Sequence, residues 1–324
     1  MFCDKGMFLT QRGLALHQLI VTADDFGLSD EINAGIIRAF KTGIVTSTSI
    51  LMNAPRTEQA VQLSSENPDL EVGIHLGIVE GFSLLGRKSS LSDSLNYLDD
   101  GSERFADRIC LQRHWKPFLK DYLLGRIDLS ELREELTLQC ESFRRSFFHL
   151  QEIPFANGTQ HMHLLPGISQ IVFDLCRQFN IRSLRIPGER SMGGRFPFDQ
   201  ILRYLGRRLR QQVKTLPMNL VTFDSFLGFE VSGKLDKSYL QRLSGFLENS
   251  SLKSPQTFEL MTHPGFDAPH LRRSLPCAYK NFHWETELKA LTDPGIKDLL
   301  KSKQISFIRF KDLYHGLGSI GNGI

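Results

Sequence analysis

Two adjacent aspartates and four histidines stand where short apolar runs end. Asp24-Asp25 follows Gln18–Thr22 (QLIVT), His75 lies in Leu70–Leu76 (LEVGIHL), His161 and His163 end the run Ile153–His163, and His263 follows Thr257–Thr262 (TFELMT). Arg185 ends Ile181–Ile186 (IRSLRI). Adjacent carboxylates at a strand end point to different sides of the chain, so one can bind a metal while the other takes a proton from water. The same pair would equally complement the dipole of a following helix. His161 and His163 face one side of an extended strand, which suits metal ligation, or one ligand with one orienting group. His263, held between Thr262 and Pro264-Gly265, can act as a general acid toward a departing amine, or can be a plain turn residue. His75 alone is more often structural, and its place beside a carboxylate pair shifts that balance.

Together these residues form one constellation. Aspartate and histidine without cysteine suit a hard or borderline divalent ion. Such an ion polarises a carbonyl and lowers the pKa of its water, a carboxylate completes the deprotonation, and a cationic His or Arg stabilises the oxyanion or protonates the amine. That is hydrolysis of an amide or ester with no covalent intermediate. The chain carries no Gly-x-Gly-x-x-Gly fingerprint, Walker loop, Gly-x-Ser-x-Gly elbow or His-Glu-x-x-His helix, which excludes several other chemistries.

The elements that must position these groups alternate. Ser29–Thr42 and Thr57–Ser65 read as helices, Val45–Leu51 as a β-branched strand, Leu164–Phe179 as a helix and Gln304–Ile308 as a last strand. Strands alternating with helices predict a parallel sheet, and ionisable groups at the strand C-termini predict an α/β barrel of distorted (β/α), TIM-barrel-like type. Residues 17–316 read as a single domain, residues 1–16 as an N-terminal extension and 317–324 as a C-terminal tail. Two stretches break the rhythm as loop insertions, about 78–105 and 188–229; the second includes Arg203–Lys214 (RYLGRRLRQQVK), a basic helical segment that reads as a solvated face or as a surface drawn to an anionic membrane.

The 324 residues, 41 % apolar and 23 % charged, suffice for a sizeable core, and a net charge of +3 argues against nucleic acid as a partner. Five scattered cysteines with no Cys-x-x-Cys fit reduced thiols and a cytoplasmic setting. No secretory h-region and no apolar run of membrane-spanning length is visible.

The run IVTADDFGLSDEINAGIIRAFKTGIVTSTSILMN resembles the opening of the YdjC-type carbohydrate deacetylases. GIHLG around His75, HMHLLPGI from His161, RSLRIPGE around Arg185, TFDSFLGF from Thr222 and ELMTHPGF around His263 resemble later blocks of that family in the same order. HWETELKAL (His283–Leu291) is most similar to the hopanoid-biosynthesis-associated members. The resemblance implies a barrel-like deacetylase fold, one divalent ion, Mg2+ or Zn2+, and release of acetate from an N-acetylglucosamine-type carbohydrate or glycolipid headgroup. It implies Asp25 and His75 as metal ligands, Asp24 as catalytic base, His263 acting near the leaving group, and Arg185 and His163 on the substrate-binding side. Related proteins are often homodimers, and peripheral membrane contact is compatible with a glycolipid substrate.

One position departs from the family. A further histidine, usually a metal ligand, precedes the family's His-x-His, whereas here Asn157-Gly158-Thr159-Gln160 precedes His161 and Thr159 occupies that place. Three outcomes follow: His161 takes over as ligand, Asp25 and His75 bind metal weakly with waters, or the protein is a catalytically impaired sugar-binding homologue. Magnesium, which keeps several waters, tolerates the loss best. A metal hydrolase of a non-sugar amide is a further reading.

Overall fold

The computed structural model describes residues 17–93, 108–112, 114–187, 197–248, 255–271, 275 and 279–315. The expected extension 1–16 and tail 317–324 lie outside the described residues, as do 94–107 and 188–196 of the two expected insertions.

Strands β1 (His17–Phe26), β2 (Ser47–Leu51), β3 (Glu71–Leu76), β4 (Ile153–Gly158), β5 (Ile181–Leu184), β6 (Ser225–Leu227), β7 (Gln256–Thr262) and β8 (Ile305–Phe307) form one 8-stranded sheet. The order is β5-β4-β3-β2-β1-β7-β6, with β8 against β1 and every pairing parallel. The 10-residue β1 serves two short neighbours: His17–Leu19 pair with β8, and Thr22, Ala23 and Phe26 pair with β2. A parallel bridge between Ser183 and Val221 brings the segment before β6 beside β5. The curled sheet is thereby drawn round into a distorted (β/α) barrel.

Helices cover the outside: α1 (Asp30–Thr42), α2 (Thr57–Ser65), α3 (Trp115–Leu123), α4 (Leu129–Ser146), α5 (Ile168–Gln178), α6 (Pro197–Val213), α7 (Lys237–Glu248), α8 (Trp284–Leu291), α9 (Pro294–Ser302) and α10 (Phe310–His315). In α1, Ser29 Oγ accepts the Ile32 amide at 3.2 Å, Asp30 and Glu31 occupy the first turn and Lys41 the last, so cap and dipole agree on its limits. Its stripe of Ile32, Ile36 and Ile37 is buried against the sheet. Gly35 lets α1 approach the turn after β7, where an added Cβ would sit 2.3 Å from Gly265 Cα.

Side chains alternate between two cores. Leu19, Val21 and Ala23 of β1 face the helices, while Ile20 joins Phe155, Phe223, Phe226, Met261 and Phe310 inside the barrel. Phe310 stacks on Phe155 at 3.9 Å, and Glu71 accepts the Phe310 and Lys311 amides, which seats α10 in the barrel. Gly73 leaves room for the Phe155 ring, 2.5 Å from where its Cβ would be.

Three expectations are corrected. β4 ends at Gly158, and Thr159–Leu164 forms a 3-10 turn in which Gln160 and His161 adopt left-handed φ of 48° and 59°. His161 and His163 therefore do not share the face of one strand. The helix expected from Leu164 starts at Ile168, because Pro166-Gly167 intervene. The second insertion holds more than the basic helical segment expected there: the helix, α6, starts earlier, at Pro197, and a strand, β6, follows it.

Candidate active site

The register between β1 and β2 slips between Ala23 and Phe26, where three steps along β1 match two along β2. Asp24 and Asp25 fill this bulge, Asp25 with a left-handed φ of 69°. Asn33 Oδ1 accepts the Gly27 amide at 2.7 Å and anchors the turn from α1. A bulge re-aims side chains. Both carboxylates consequently line one cavity rather than opposite sides of the chain, and both are almost fully buried.

Beneath them the inward residues of five strands form a polar lattice. Asp24 Oδ1 accepts from Ser49 Oγ at 2.8 Å, Asn157 Nδ2 at 3.1 Å and Arg185 Nη2 at 3.0 Å; Oδ2 accepts from Arg185 Nη1 at 2.5 Å. Burial alone would raise the Asp24 pKa, but Arg185, His75 and His263 outweigh it and hold the carboxyl well below the usual range. The far side of Arg185 donates to Glu259 Oε1 through Nε at 2.8 Å and Nη2 at 2.6 Å, and Thr22 Oγ1 donates to the same oxygen at 2.9 Å. Arg185 is 0 % exposed and its guanidinium is committed to these two carboxylates, so it braces Asp24 and does not line the substrate space as expected.

Asn157, from β4, links the halves of the site. Its amide nitrogen donates to Asp24 and Ser49, so its oxygen, 2.5 Å from His75 Nδ1, accepts the ring proton. His75 Nε2 then faces Asp25, 3.5 Å from its Oδ1, and carries a lone pair when the ring is neutral. Burial works to lower the His75 pKa, but Asp25, Asp24 and Asn157 reverse that and raise it.

On the other side of Asp25 stands Tyr279, whose hydroxyl lies 3.2 Å from Asp25 Oδ1 and 2.9 Å from Glu80 Oε2. Glu80 has a left-handed φ of 70° and also accepts from Gln160 Nε2. Burial, then the Asp25 charge, raises the Glu80 pKa well above the usual carboxylate value. A phenol has one proton to share between two carboxyl groups, and the upward shift at Glu80 favours a proton on that acid.

The remaining expected residues separate. His263 opens into the cavity, its backbone amide donating to buried Glu287 Oε2 at 2.6 Å, its ring edge-on to Phe282 and its Nδ1 without a hydrogen-bond partner among the described residues. His161 lines the cavity between the rings of Phe226 and Phe229, 5.6 and 5.5 Å away; burial and then His163 and Arg185 keep it neutral. His163 is 0 % exposed and donates through Nε2 to the Arg185 carbonyl at 2.9 Å, a strut behind the site rather than a substrate contact. Thr159 turns its hydroxyl onto the loop after β3, accepting the Ile78 and Val79 amides at 3.1 Å each.

Whether these residues suit a metal follows from the donors. Asp25 Oδ1 and His75 Nε2 are closer together than two ordinary metal–ligand bonds of about 2.0–2.2 Å laid end to end, so both can reach one ion. The Nδ1–H anchor on Asn157 is the usual support for a ligating imidazole. Among the described residues, no three His, Cys, Asp or Glu side chains gather closely enough to share an ion, and His161 does not complete a trio with this pair. The donor set fits an ion that keeps much of its water.

Sequence reasoning missed Asn157, Glu80, Tyr279, Glu259 and Glu287 as functional groups. Glu259 was legible in principle: it lies two residues from Met261 and four from His263 on one strand, hence on the inward face. Tyr279 was not, because only the folded loop brings it to Asp25.

The cavity has a volume of about 450 Å³, within the range of small-molecule sites. Its acidic floor lies under walls that include Trp115, Leu119, Leu202 and Phe229.

Comparison with known proteins agrees with the architecture. The family described as YdjC-like protein matches residues 18–302. A human carbohydrate deacetylase is 29 % identical over 316 residues, covering 91 % of each chain. A chitooligosaccharide deacetylase of Yersinia enterocolitica is 29 % identical over 87 % of this chain and 94 % of its own. The crystal structure of a proposed cellobiose-phosphate cleavage protein from Enterococcus faecalis superposes with a TM-score of 0.66 over 92 % of this chain and 98 % of that one, at 21 % identity, a likeness of fold.

Proposed function

The chain belongs to the YdjC-like protein family, and from that premise we propose that it is a metal-dependent carbohydrate N-deacetylase, releasing acetate from an N-acetylated amino sugar. The observation that carries this reading is the Asp25–His75 pair, 3.5 Å apart, beside an Asp24 braced by Arg185. The carbohydrate and chitooligosaccharide deacetylases among its relatives support the choice of substrate.

Asp25 and His75 would hold one divalent ion, Mg2+ in preference to Zn2+ because only two protein donors are at hand. Bound there, it supplies carbonyl polarisation and a more acidic water. Asp24 stays ionised beside it and takes the water proton; among the described residues its Oδ2 accepts from Arg185 alone, which leaves a lone pair for that task. Arg185 fixes the direction of that carboxylate. His263 gives a proton to the departing amine, its position set by Glu287. The apolar walls exclude bulk water from the acetamide.

The test is acetate release from N-acetylglucosamine oligomers with Mg2+, Zn2+ or Co2+ supplied in turn. Acetate formation that needs metal and is lost in Asp25→Asn supports the reading. A well-folded protein that releases none with any metal overturns it. A second reading, a sugar-binding homologue with impaired chemistry, draws on the missing third ligand; it predicts sugar binding without acetate release, and recovery of turnover in Thr159→His.

A further inference from the structure

Four of the seven large exposed apolar side chains among the described residues fall on or beside two helices at the cavity wall; Leu129, Phe148 and Phe266 lie elsewhere. Among the described residues, Leu123 (72 % exposed), Leu124 (55 %), Ile201 (55 %) and Tyr204 (66 %) belong to α3, the residue after it, and α6. These two helices also wall the cavity: Trp115 and Leu119 from α3, Ile201, Leu202 and Leu205 from α6. Ile201 is both exposed and part of the cavity wall, and the other three share or adjoin the helices that form that wall. The two helices come together at the cavity, which both of them line.

Charge accompanies the apolar surface. Arg207 and Arg208 are exposed about one turn beyond Tyr204, and Lys116 and Lys120 are exposed on α3. The whole chain carries only +3, so this is a local excess of positive charge. Among the described side chains here, Asp121 pairs with Arg126, and Glu230 accepts from Tyr239. Exposed aliphatic side chains and a tyrosine among arginines and lysines match the boundary of a bilayer, where apolar groups enter the acyl region and cations meet lipid phosphates. Among the described residues no helix is long and apolar enough to cross a membrane, so the contact is with one leaflet.

We propose that the rim formed by α6 and the end of α3 docks on an anionic lipid bilayer, with the cavity mouth facing the membrane surface. This holds whichever reaction the site performs, because none of Leu123, Tyr204, Arg207 and Arg208 belongs to the polar lattice below. The site thereby gains direct access to amphiphilic molecules held in the leaflet.

The test is flotation of the full chain with vesicles of phosphatidylcholine alone or with one third phosphatidylglycerol. Binding is expected only to the anionic vesicles and should fall as salt rises, with each basic side chain contributing on the order of fivefold in partition. The triple variant Tyr204→Ser, Arg207→Glu, Arg208→Glu should lower partition by at least about 25-fold, with an unchanged melting temperature as the check on folding. Arg38→Glu with Lys41→Glu, an equal charge reversal of exposed residues on α1, is the control and should cost much less. The proposal is overturned if wild type fails to float with anionic vesicles, if the α1 control loses as much as the triple variant, or if Tyr204→Ser alone changes nothing while soluble polyglutamate binds as well as vesicles, which would mark an acidic protein partner instead.

Discussion

Asn157 Oδ1 lies 2.5 Å from His75 Nδ1, while the amide nitrogen of the same side chain donates to Asp24. One carboxamide therefore fixes the tautomer of one proposed catalytic-site group and the orientation of another. Replacing it with leucine leaves a ring N–H and a carboxylate oxygen each short of a buried partner. Asn157→Leu is expected to weaken Mg2+ or Mn2+ affinity by about 10–100-fold, the usual cost of losing support behind a metal-ligating histidine. Asn157→Asp keeps the acceptor for His75 but sets a second carboxylate against Asp24, so it should retain more metal affinity than leucine while losing stability. Calorimetric metal titration with urea unfolding separates the two effects.

The fold was legible because its strands are short apolar runs buried on both faces and its helices are periodic and capped, as Ser29 shows for α1. Asp24, Asp25, His75 and His263 were legible as a group because an α/β barrel places strand C-termini at one end. Two features could not be read. The bulge that turns both aspartates into one cavity depends on the pairing of β1 with β2, a tertiary fact absent from a dipeptide. The break of β4 at Gly158 depends on left-handed backbone at Gln160 and His161, a conformation uncommon for any residue but glycine and not signalled by the sequence around them. Assigning Arg185 to the substrate failed for a related reason. Its partner Glu259 is remote in sequence, and only the barrel reveals that the guanidinium is already held between two buried carboxylates.

Thr159 carries a stability prediction. Its hydroxyl is the buried acceptor for two backbone amides that shape the turn after β3. Thr159→Val keeps the volume and removes that acceptor, and about 1–3 kcal/mol of stability should be lost. Because Glu80 sits at the end of the same loop, the variant should also broaden the loop's motion, visible as faster amide exchange at Ile78 and Val79. Thr159→Ser, which preserves the oxygen, should lie close to wild type in both measurements.

Arg185 pairs with both Asp24 and Glu259 at a fully buried position. Arg185→Met leaves two carboxylates facing each other with no cation, and a loss of about 3–5 kcal/mol is expected. The double variant Arg185→Met with Glu259→Gln removes one of those charges and should recover part of the loss. Denaturant unfolding of both proteins checks this: equal stability of the single and double variants would mean that Glu259 takes up a proton once Arg185 is gone.

His163 gives the fold a defined acid sensitivity. Burial, partly offset by its bond to the Arg185 carbonyl, pushes its pKa from the ordinary 6.5 down to about 4. Above 6.5 the imidazole is neutral in both the folded and unfolded chain and contributes no pH dependence. Between 6.5 and about 4 the unfolded chain binds the proton and the folded chain does not, so stability falls as pH falls through this window. The shift corresponds to a loss on the order of 3 kcal/mol. His163→Gln, which retains a donor for the Arg185 carbonyl but cannot titrate, should be less stable than wild type at pH 7.5 and should narrow that gap as the pH approaches 4. Urea midpoints measured for both proteins across this range test it, and parallel curves would show that the His163 proton does not set the slope.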